Sequence, residues 1–292
     1  MGVGERDPVT GHMTTGHEWN GITELNTPVP RPVYAFLGAA ALFAVVYWVL
    51  MPAWPTGVGY TKGLLGYDQR SAVTANLQQA ARDRAVWTGR IATENFETIQ
   101  ADPALMATVR QTGRALFGDN CAACHGREAT GNPGFPNLTT ASWLWGGSPE
   151  AIAETIRVGI NSAHPDSRSS QMPAFGRDGV LPRADIDNVV AYVKGLSDPA
   201  AARGEAQAVA AGQKVFATTC AACHGEDATG IADLGVPNLA DTVWIYGGDP
   251  ETIFNTVWGG RQGHMPTWEG RLTPVERKIL ALYVFDLRRA GQ

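Results

Sequence analysis

The chain has 292 residues, a formal net charge of −5 and only 17% charged residues. That length exceeds a single small domain, and the mildly acidic balance gives no basic face for a nucleic acid partner. Four cysteines are present, so any chemistry built on thiols has to be found in very few positions.

Residues 1–31 form a polar tail rich in Thr, Gly and Pro, which taken alone reads as disordered. No charged residue then occurs from Pro32 to Thr61, and Val33 to Met51 is almost unbroken apolar sequence. As a helix that run would be about 28 Å long, close to the hydrocarbon thickness of a bilayer. Pro30 and Pro32 precede it, Pro52 and Pro55 end it, and Tyr47, Trp48 and Trp54 suit an interfacial belt. The run starts too late and is too long for a cleaved signal peptide, and the acidic residues before it disfavour one. A transmembrane helix is therefore expected within 32–55, with Gly38, Ala39, Ala40 and Ala41 allowing close approach of a second helix. Residues 56–107 read as a connector, with a helix over Ser71 to Ile91.

Two tandem haem domains are expected next, over 108–198 and 206–292. The pentapeptide Cys121-Ala-Ala-Cys124-His125 recurs letter for letter as Cys220-Ala-Ala-Cys223-His224. This spacing is the signature of covalent haem c attachment. Two thiols one helical turn apart bond the haem, and the following imidazole meets the iron. A zinc half-site, a thioredoxin-like redox pair, or one four-cysteine zinc site made from both motifs would also use Cys-x-x-Cys. None of these needs a histidine after the second cysteine in both copies. All four cysteines are used, which leaves none for a disulfide.

The repeat extends well beyond the motif. Its period is 99 residues at the cysteines, and Gly113–Ser197 aligns with Gly212–Arg288. Gly113-Arg-Ala-Leu-Phe117 matches Gly212-Gln-Lys-Val-Phe216 ahead of the motifs. After them come Pro136-Asn137-Leu138 and Pro237-Asn238-Leu239, then Trp143-Leu-Trp-Gly146-Gly147 and Trp244-Ile-Tyr-Gly247-Gly248. Helices are expected around 150–159 and 251–259, and amphipathic closing helices over about 183–196 and 274–287. Two copies at this period indicate a domain duplication, so the fold class is all-α: one N-terminal transmembrane helix and two tandem cytochrome c-type domains.

Met172-Pro173 and Met265-Pro266 occupy equivalent places, 47 and 41 residues beyond their histidines. His125 with Met172 and His224 with Met265 are the axial iron ligands expected, and a thioether ligand raises the reduction potential as an electron carrier requires. Each Met serving its own repeat is favoured on loop-closure grounds, although a duplicated pair also permits an exchange. His164 and His264 have no aligned counterparts and read as exposed loop residues. Trp143, Trp145, Trp244 and Tyr246 are candidates either for a haem edge and its propionates or for ordinary core packing.

The tail narrows the identification. Asp7-Pro-Val-Thr-Gly-His12 and Thr15-Gly-His-Glu-Trp-Asn-Gly-Ile-Thr-Glu-Leu-Asn-Thr-Pro-Val-Pro-Arg31 resemble the tail of the CcoP (FixP-like) family, the di-haem cytochrome c subunits of cbb3-type cytochrome c oxidases. The likeness continues through the single membrane helix, Gly59-Tyr60, Gly63-Leu64-Leu65-Gly66-Tyr67 and both haem regions. It implies two covalently bound haem c groups held by Cys121, Cys124, Cys220 and Cys223. His125 and His224 would be the proximal ligands, Met172 and Met265 the distal ones. It also implies electron transfer from a donor cytochrome c towards an oxygen-reducing, proton-pumping haem-copper subunit, with a mono-haem cytochrome subunit in the same complex. The chain lies in the bacterial inner membrane on this reading, among lipid, with its N-terminus cytoplasmic and its haem domains periplasmic. It carries neither a copper site nor a run of membrane histidines, so no catalytic residue is expected in it. A free-standing membrane-anchored di-haem carrier is the main alternative. A di-haem peroxidase or gas sensor is disfavoured, because either needs an open iron position.

Overall fold

A computed structural model describes residues 4–200 and 203–290. Met1 and the ends of the expected 1–31 and 206–292 segments lie outside the described residues. The described chain is largely helical, as the all-α expectation requires, and it divides into two compact units, 1–83 and 84–292.

In the first unit the tail carries an antiparallel hairpin of β1 (Thr14–Trp19) and β2 (Ile22–Leu25). This corrects the reading of the tail as disordered. The reason is local: Asn20 and Gly21 both take positive φ, 51° and 85°, the geometry of the tight two-residue turn that matches strand twist. Thr15 Oγ1 and His17 Nδ1 both reach the Glu24 carboxylate across the strands, at 2.9 and 3.1 Å. Helix α1 (Arg31–Leu50) follows, with Pro32 in its first turn and no residue buried. It is long and apolar enough to cross a membrane. It stops short of residue 55 because Pro52 cannot continue it. Its last carbonyls are not left bare: Leu64 N–H donates to Val49 O and Leu65 N–H to Leu50 O, at 2.9 and 3.1 Å. The Gly63–Gly66 loop therefore caps this helix.

Helix α2 (Gln69–Thr93) covers the connector and leads to α3 (Phe96–Ala101) and α4 (Pro103–Asn120). Asp102 caps α4 by accepting from the N–H groups of Ala104 and Leu105. The remaining helices are α5 (Ala122–His125), α6 (Pro149–Val158), α7 (Arg183–Ser197), α8 (Ala206–Val215), α9 (Ala221–His224), α10 (Pro250–Gly259) and α11 (Pro274–Ala290).

These helices do not pack repeat by repeat. One core joins Val109 and Phe117 of α4, Ile152 and Ile156 of α6, and Ile279 to Val284 of α11. The other joins Ile186 to Val193 of α7, Phe216 and Cys220 beyond α8, and Ile253 and Val257 of α10. The opening helix of each repeat thus meets the closing helix of the other. The contacts are equivalent. A Cβ on Gly113 would lie 2.6 Å from Tyr283 Cβ, and one on Gly212 would lie 2.9 Å from Tyr192 Cβ and 2.0 Å from Asn188 O. Tyr283 packs on Phe117 at 5.8 Å and Tyr192 on Phe216 at 5.3 Å between ring centroids. The Gly-x-x-x-Phe pattern ahead of each motif is therefore a helix-crossing device.

The chain changes cores just after α6 and α10. Gly159 and Gly260 hold φ of +74° and +70°, and a Cβ there would lie 2.4 Å from Met265 O or 2.5 Å from Met172 O. Replacing Gly159 by Ala adds both a clash and a strained backbone. We expect it to destabilise the holoprotein by about 1–3 kcal/mol, read as a lower denaturant midpoint with unchanged slope. An unaltered midpoint would show that the crossover tolerates a side chain.

Candidate functional site

Both motifs sit where a helix ends and a tight loop begins. Cys121 terminates α4, its N–H donating to Phe117 O, and His125 N–H donates to Cys121 O at 3.0 Å. In the second copy a π-helical turn over Phe216–Cys220 delivers the chain to α9, the kind of widened turn that recurs at functional sites. After each motif the loop reverses in the same way. Gly131 N–H donates to His125 O and Gly230 N–H to His224 O, both at 2.8 Å. Ala129 and Ala228 are fully buried with φ of 58° and 59°. Alanine is rarely held there. The strain recurs at equivalent positions, each alanine carbonyl accepting from the N–H of Leu138 or Leu239 at 2.8 Å.

That loop orients the imidazoles. His125 Nδ1 lies 3.1 Å from Pro136 O, and His224 Nδ1 lies 3.3 Å from Pro237 O. A carbonyl can only accept, so Nδ1 carries the proton and Nε2 is left as a donor of its lone pair. Burial lowers both histidine pKa values, against the opposing effect of these hydrogen bonds. Both rings are thus kept neutral, the form that binds metal. Burial, helped by the neighbouring thiol, pushes the Cys121 and Cys220 thiols up to about 11. Cys124 and Cys223 are exposed. Among the described residues no three His, Cys, Asp or Glu side chains come together to hold a metal ion, so the two motifs do not combine into a four-cysteine zinc site.

The methionines are exchanged relative to the loop-closure expectation. Met265 packs into the core that holds Phe117, Cys121, Leu138 and Trp143. Met172 packs into the core that holds Phe216, Cys220, Leu239 and Trp244. Backbone bridges carry the crossing strands: Ile160 and Met265 exchange hydrogen bonds of 2.9 Å each, and Met172 and Arg261 exchange bonds of 2.8 and 3.1 Å. Bringing Met265 rather than Met172 into the first core spans 140 residues from His125 rather than 47, which costs only about 1 kcal/mol more. Burying the crossed strands and helices outweighs that difference.

The structure also corrects the reading of His164. Its side chain is only 9% exposed and pairs with Glu269 at 2.7 Å, a carboxylate that also accepts from Arg157. Glu269 comes from the loop after Met265, so the crossing itself covers His164. His264 is exposed, with Nδ1 2.9 Å from Asn161 O. Sequence reasoning passed over Arg168 and Arg261, each four residues before a methionine. Arg168 lies 5.1 Å over the Trp145 ring and Arg261 lies 4.5 Å over Tyr246, so the equal spacing was the available signal. Trp143 and Trp244 pack into the two cores, and Trp143 Nε1 is buried without a partner among the described residues.

A haem fits this donor set. Each site offers two thiols one turn apart, a neutral imidazole with Nε2 available, a thioether among apolar side chains and, in the first site, an unused buried N–H.

Comparison with known proteins agrees. Residues 11–58 match the N-terminal domain of cytochrome oxidase-cbb3, FixP; residues 111–197 match cytochrome c; residues 207–284 match cytochrome C oxidase, cbb3-type, subunit III. The chain is 46% identical to a cbb3-type cytochrome c oxidase subunit FixP of a Bradyrhizobium species, over 97% of both chains. It is 42% identical to subunit CcoP of an Azospirillum species, over 98% of this chain and 99% of that one. It is also 42% identical to subunit CcoP of Cereibacter sphaeroides, over 94% of each.

Proposed function

The chain belongs to the FixP/CcoP family of cbb3-type cytochrome c oxidase subunits, and from that premise we propose that it passes electrons from a donor cytochrome c towards an oxygen-reducing haem-copper subunit. Two covalently attached haem c groups, at Cys121/Cys124 and Cys220/Cys223, each supply a one-electron Fe(III)/Fe(II) couple when bound. His125 and His224 present Nε2 to the irons, their Nδ1 protons fixed by Pro136 and Pro237. Met265 completes the first site and Met172 the second. The observation that carries this reading is the repeated Cys-x-x-Cys-His turn, with its histidine oriented by a carbonyl and a methionine in the same core.

The duplicated halves keep the sequence spans 108–198 and 206–292, with segments exchanged between them. Helix α1 anchors the chain in the bacterial inner membrane. Covalent haem attachment takes place outside the cytoplasm, so the haem regions are periplasmic and the tail cytoplasmic. Membrane lipid, the catalytic subunit and a mono-haem cytochrome subunit are the partners on this reading. Exposure of Cys124 and Cys223 brings the attached side of each group to the surface, where electron exchange requires it.

Denatured protein should keep its haem stain, and Cys121→Ala with Cys124→Ala should lose half of it. A mass equal to the bare polypeptide would overturn covalent attachment.

That same double variant isolates the second haem and so tests the exchange of ligands. Adding Met172→Ala should open the remaining iron to carbon monoxide, whereas adding Met265→Ala should leave it closed. The reverse outcome would mean that each methionine serves its own repeat.

Deleting residues 1–30 should leave both haems attached and reducible while lowering the yield of active oxidase, because the ordered hairpin serves docking. Oxygen uptake per catalytic subunit in the purified complex is the measurement. Normal co-purification with full uptake would favour the free-carrier alternative.

A further inference from the structure

The two strands that bear the methionines are fastened by different side chains. Their backbones dock alike: Trp268 N–H donates to Ile156 O and Phe175 N–H to Val257 O, each at 3.1 Å. One residue further on, the copies diverge. Glu269 aligns with Gly176, and Arg157, the α6 residue that Glu269 meets, aligns with Trp258 of α10. Glu269 Oε1 accepts from Arg157 Nη1 at 3.1 Å, and its Oε2 lies 2.7 Å from His164 Nε2. Asp166 N–H donates to His164 Nδ1 at 3.0 Å, so the ring proton sits on Nε2 and is given to Glu269. The same guanidinium donates to Glu154 and Asp166, at 2.8 and 3.1 Å, and Thr267 Oγ1 donates to Arg157 O at 2.6 Å. His164 and Asp166 come from a crossing loop that is longer in the first copy: 12 residues separate Gly159 from Met172, but 4 separate Gly260 from Met265. The second copy replaces the ion pair by an apolar contact. Trp258 covers the buried Gly176, where a Cβ would lie 2.2 Å from its ring, and stacks on Phe254 at 5.7 Å between centroids.

We propose that Arg157, His164 and Glu269 form an electrostatic latch that holds Met265 in the first site, whereas Trp258 holds Met172 in the second by aromatic packing. The latch grips the strand four residues beyond the Met265 sulfur and acts on the iron through it, so its members are positioning residues. The inference rests on the reading of both methionines as distal ligands. It goes beyond that reading because two ligands alike in chemistry come to differ in what releases them. A charge-assisted pair weakens when a charge is removed or screened, whereas stacked rings respond to neither. Arg157 and Glu269 are 29% and 44% exposed, so solvent ions reach the pair. Salt therefore loosens the first distal ligand and leaves the second in place.

The test uses the full holoprotein, reduced, with both haems bound. Carbon monoxide binds only after a methionine leaves, so the rate of uptake at each haem reports release of its distal ligand. Glu269→Gln should speed uptake at one haem, the one that Met265→Ala opens outright, by about three- to tenfold. Trp258→Ala should speed uptake only at the other, the one that Met172→Ala opens. Arg157→Lys should fall between the unaltered chain and Arg157→Gln, because it keeps the charge but loses the fork. Added salt should speed uptake at the first haem of the unaltered chain and change little in Glu269→Gln, a split that a mere loss of stability does not produce. Uptake rates and salt responses unchanged at both haems in Glu269→Gln and Arg157→Gln would overturn the latch while leaving the ligands assigned. An unaltered reduced chain with no covalent haem, or with both haems open to carbon monoxide at once, would instead remove methionine ligation and the latch with it.

Discussion

The haem-bearing unit depends on the two crossings at Gly159 and Gly260. Each takes a backbone conformation open only to glycine and lets the strand that follows leave its own core. The crossed strands are tied to each other, since Ile160 bonds Met265 and Met172 bonds Arg261 through the main chain. One result is that the second site is contiguous, running from the strand after Gly159 through α7, α8 and α9 to α10. The first site is made of the two flanking stretches that close around it. A duplicated pair of domains has thereby become a nested pair, and neither methionine strand can move without pulling on the other.

Nesting explains features that two independent domains would not need. The opening helices α4 and α8 each carry a glycine at the crossing, a phenylalanine follows one turn on (in the second copy just beyond α8), and the tyrosines that fill those notches come from the other repeat. The Arg-x-x-x-Met spacing has the same logic. Arg168 rests beside α6 while Met172 enters the second core, and Arg261 rests beside α10 while Met265 enters the first. Four residues of extended chain therefore carry a cation beside one core and a methionine into the other. A small haem domain buries little surface of its own. Exchange adds interface between the two at an entropic cost of about 1 kcal/mol for the longer closure.

Much of this was legible from residue order alone. The membrane helix, the connector helix, both Cys-x-x-Cys-His turns and the closing helices all follow from local patterns, and local patterns are what a sequence encodes most directly. The exchange was not legible, because the two repeats are near-copies: a notch at Gly113 accepts Tyr283 as well as Tyr192 by type, and only three-dimensional closure chooses. His164 was misjudged for the same reason, its cover being Glu269, 105 positions away. The tail hairpin failed differently. Its composition is that of a disordered segment, but Asn20-Gly21 outweighs composition by supplying the one turn that aligns the flanking strands.

On the proposed ligation the two sites offer identical ligand sets, and only their surroundings can then tell them apart. Two haems with the same thioethers, the same imidazole tautomer and the same sulfur ligand would share a potential, and electrons would have no preferred direction between them. Axial ligands being equal, the remaining influences are hydrogen bonding, local charge and burial around the ring. The residues that distinguish the sites are those the repeat does not preserve. Arg288 stands where the first copy has Ser197. A π-helical turn precedes the second motif but not the first. Arg261 Nε has Thr256 as a partner, whereas Arg168 Nε has none among the described residues. Divergence of this kind lies at the rim of each core rather than within it, where two copies of one fold can become unlike without repacking either core.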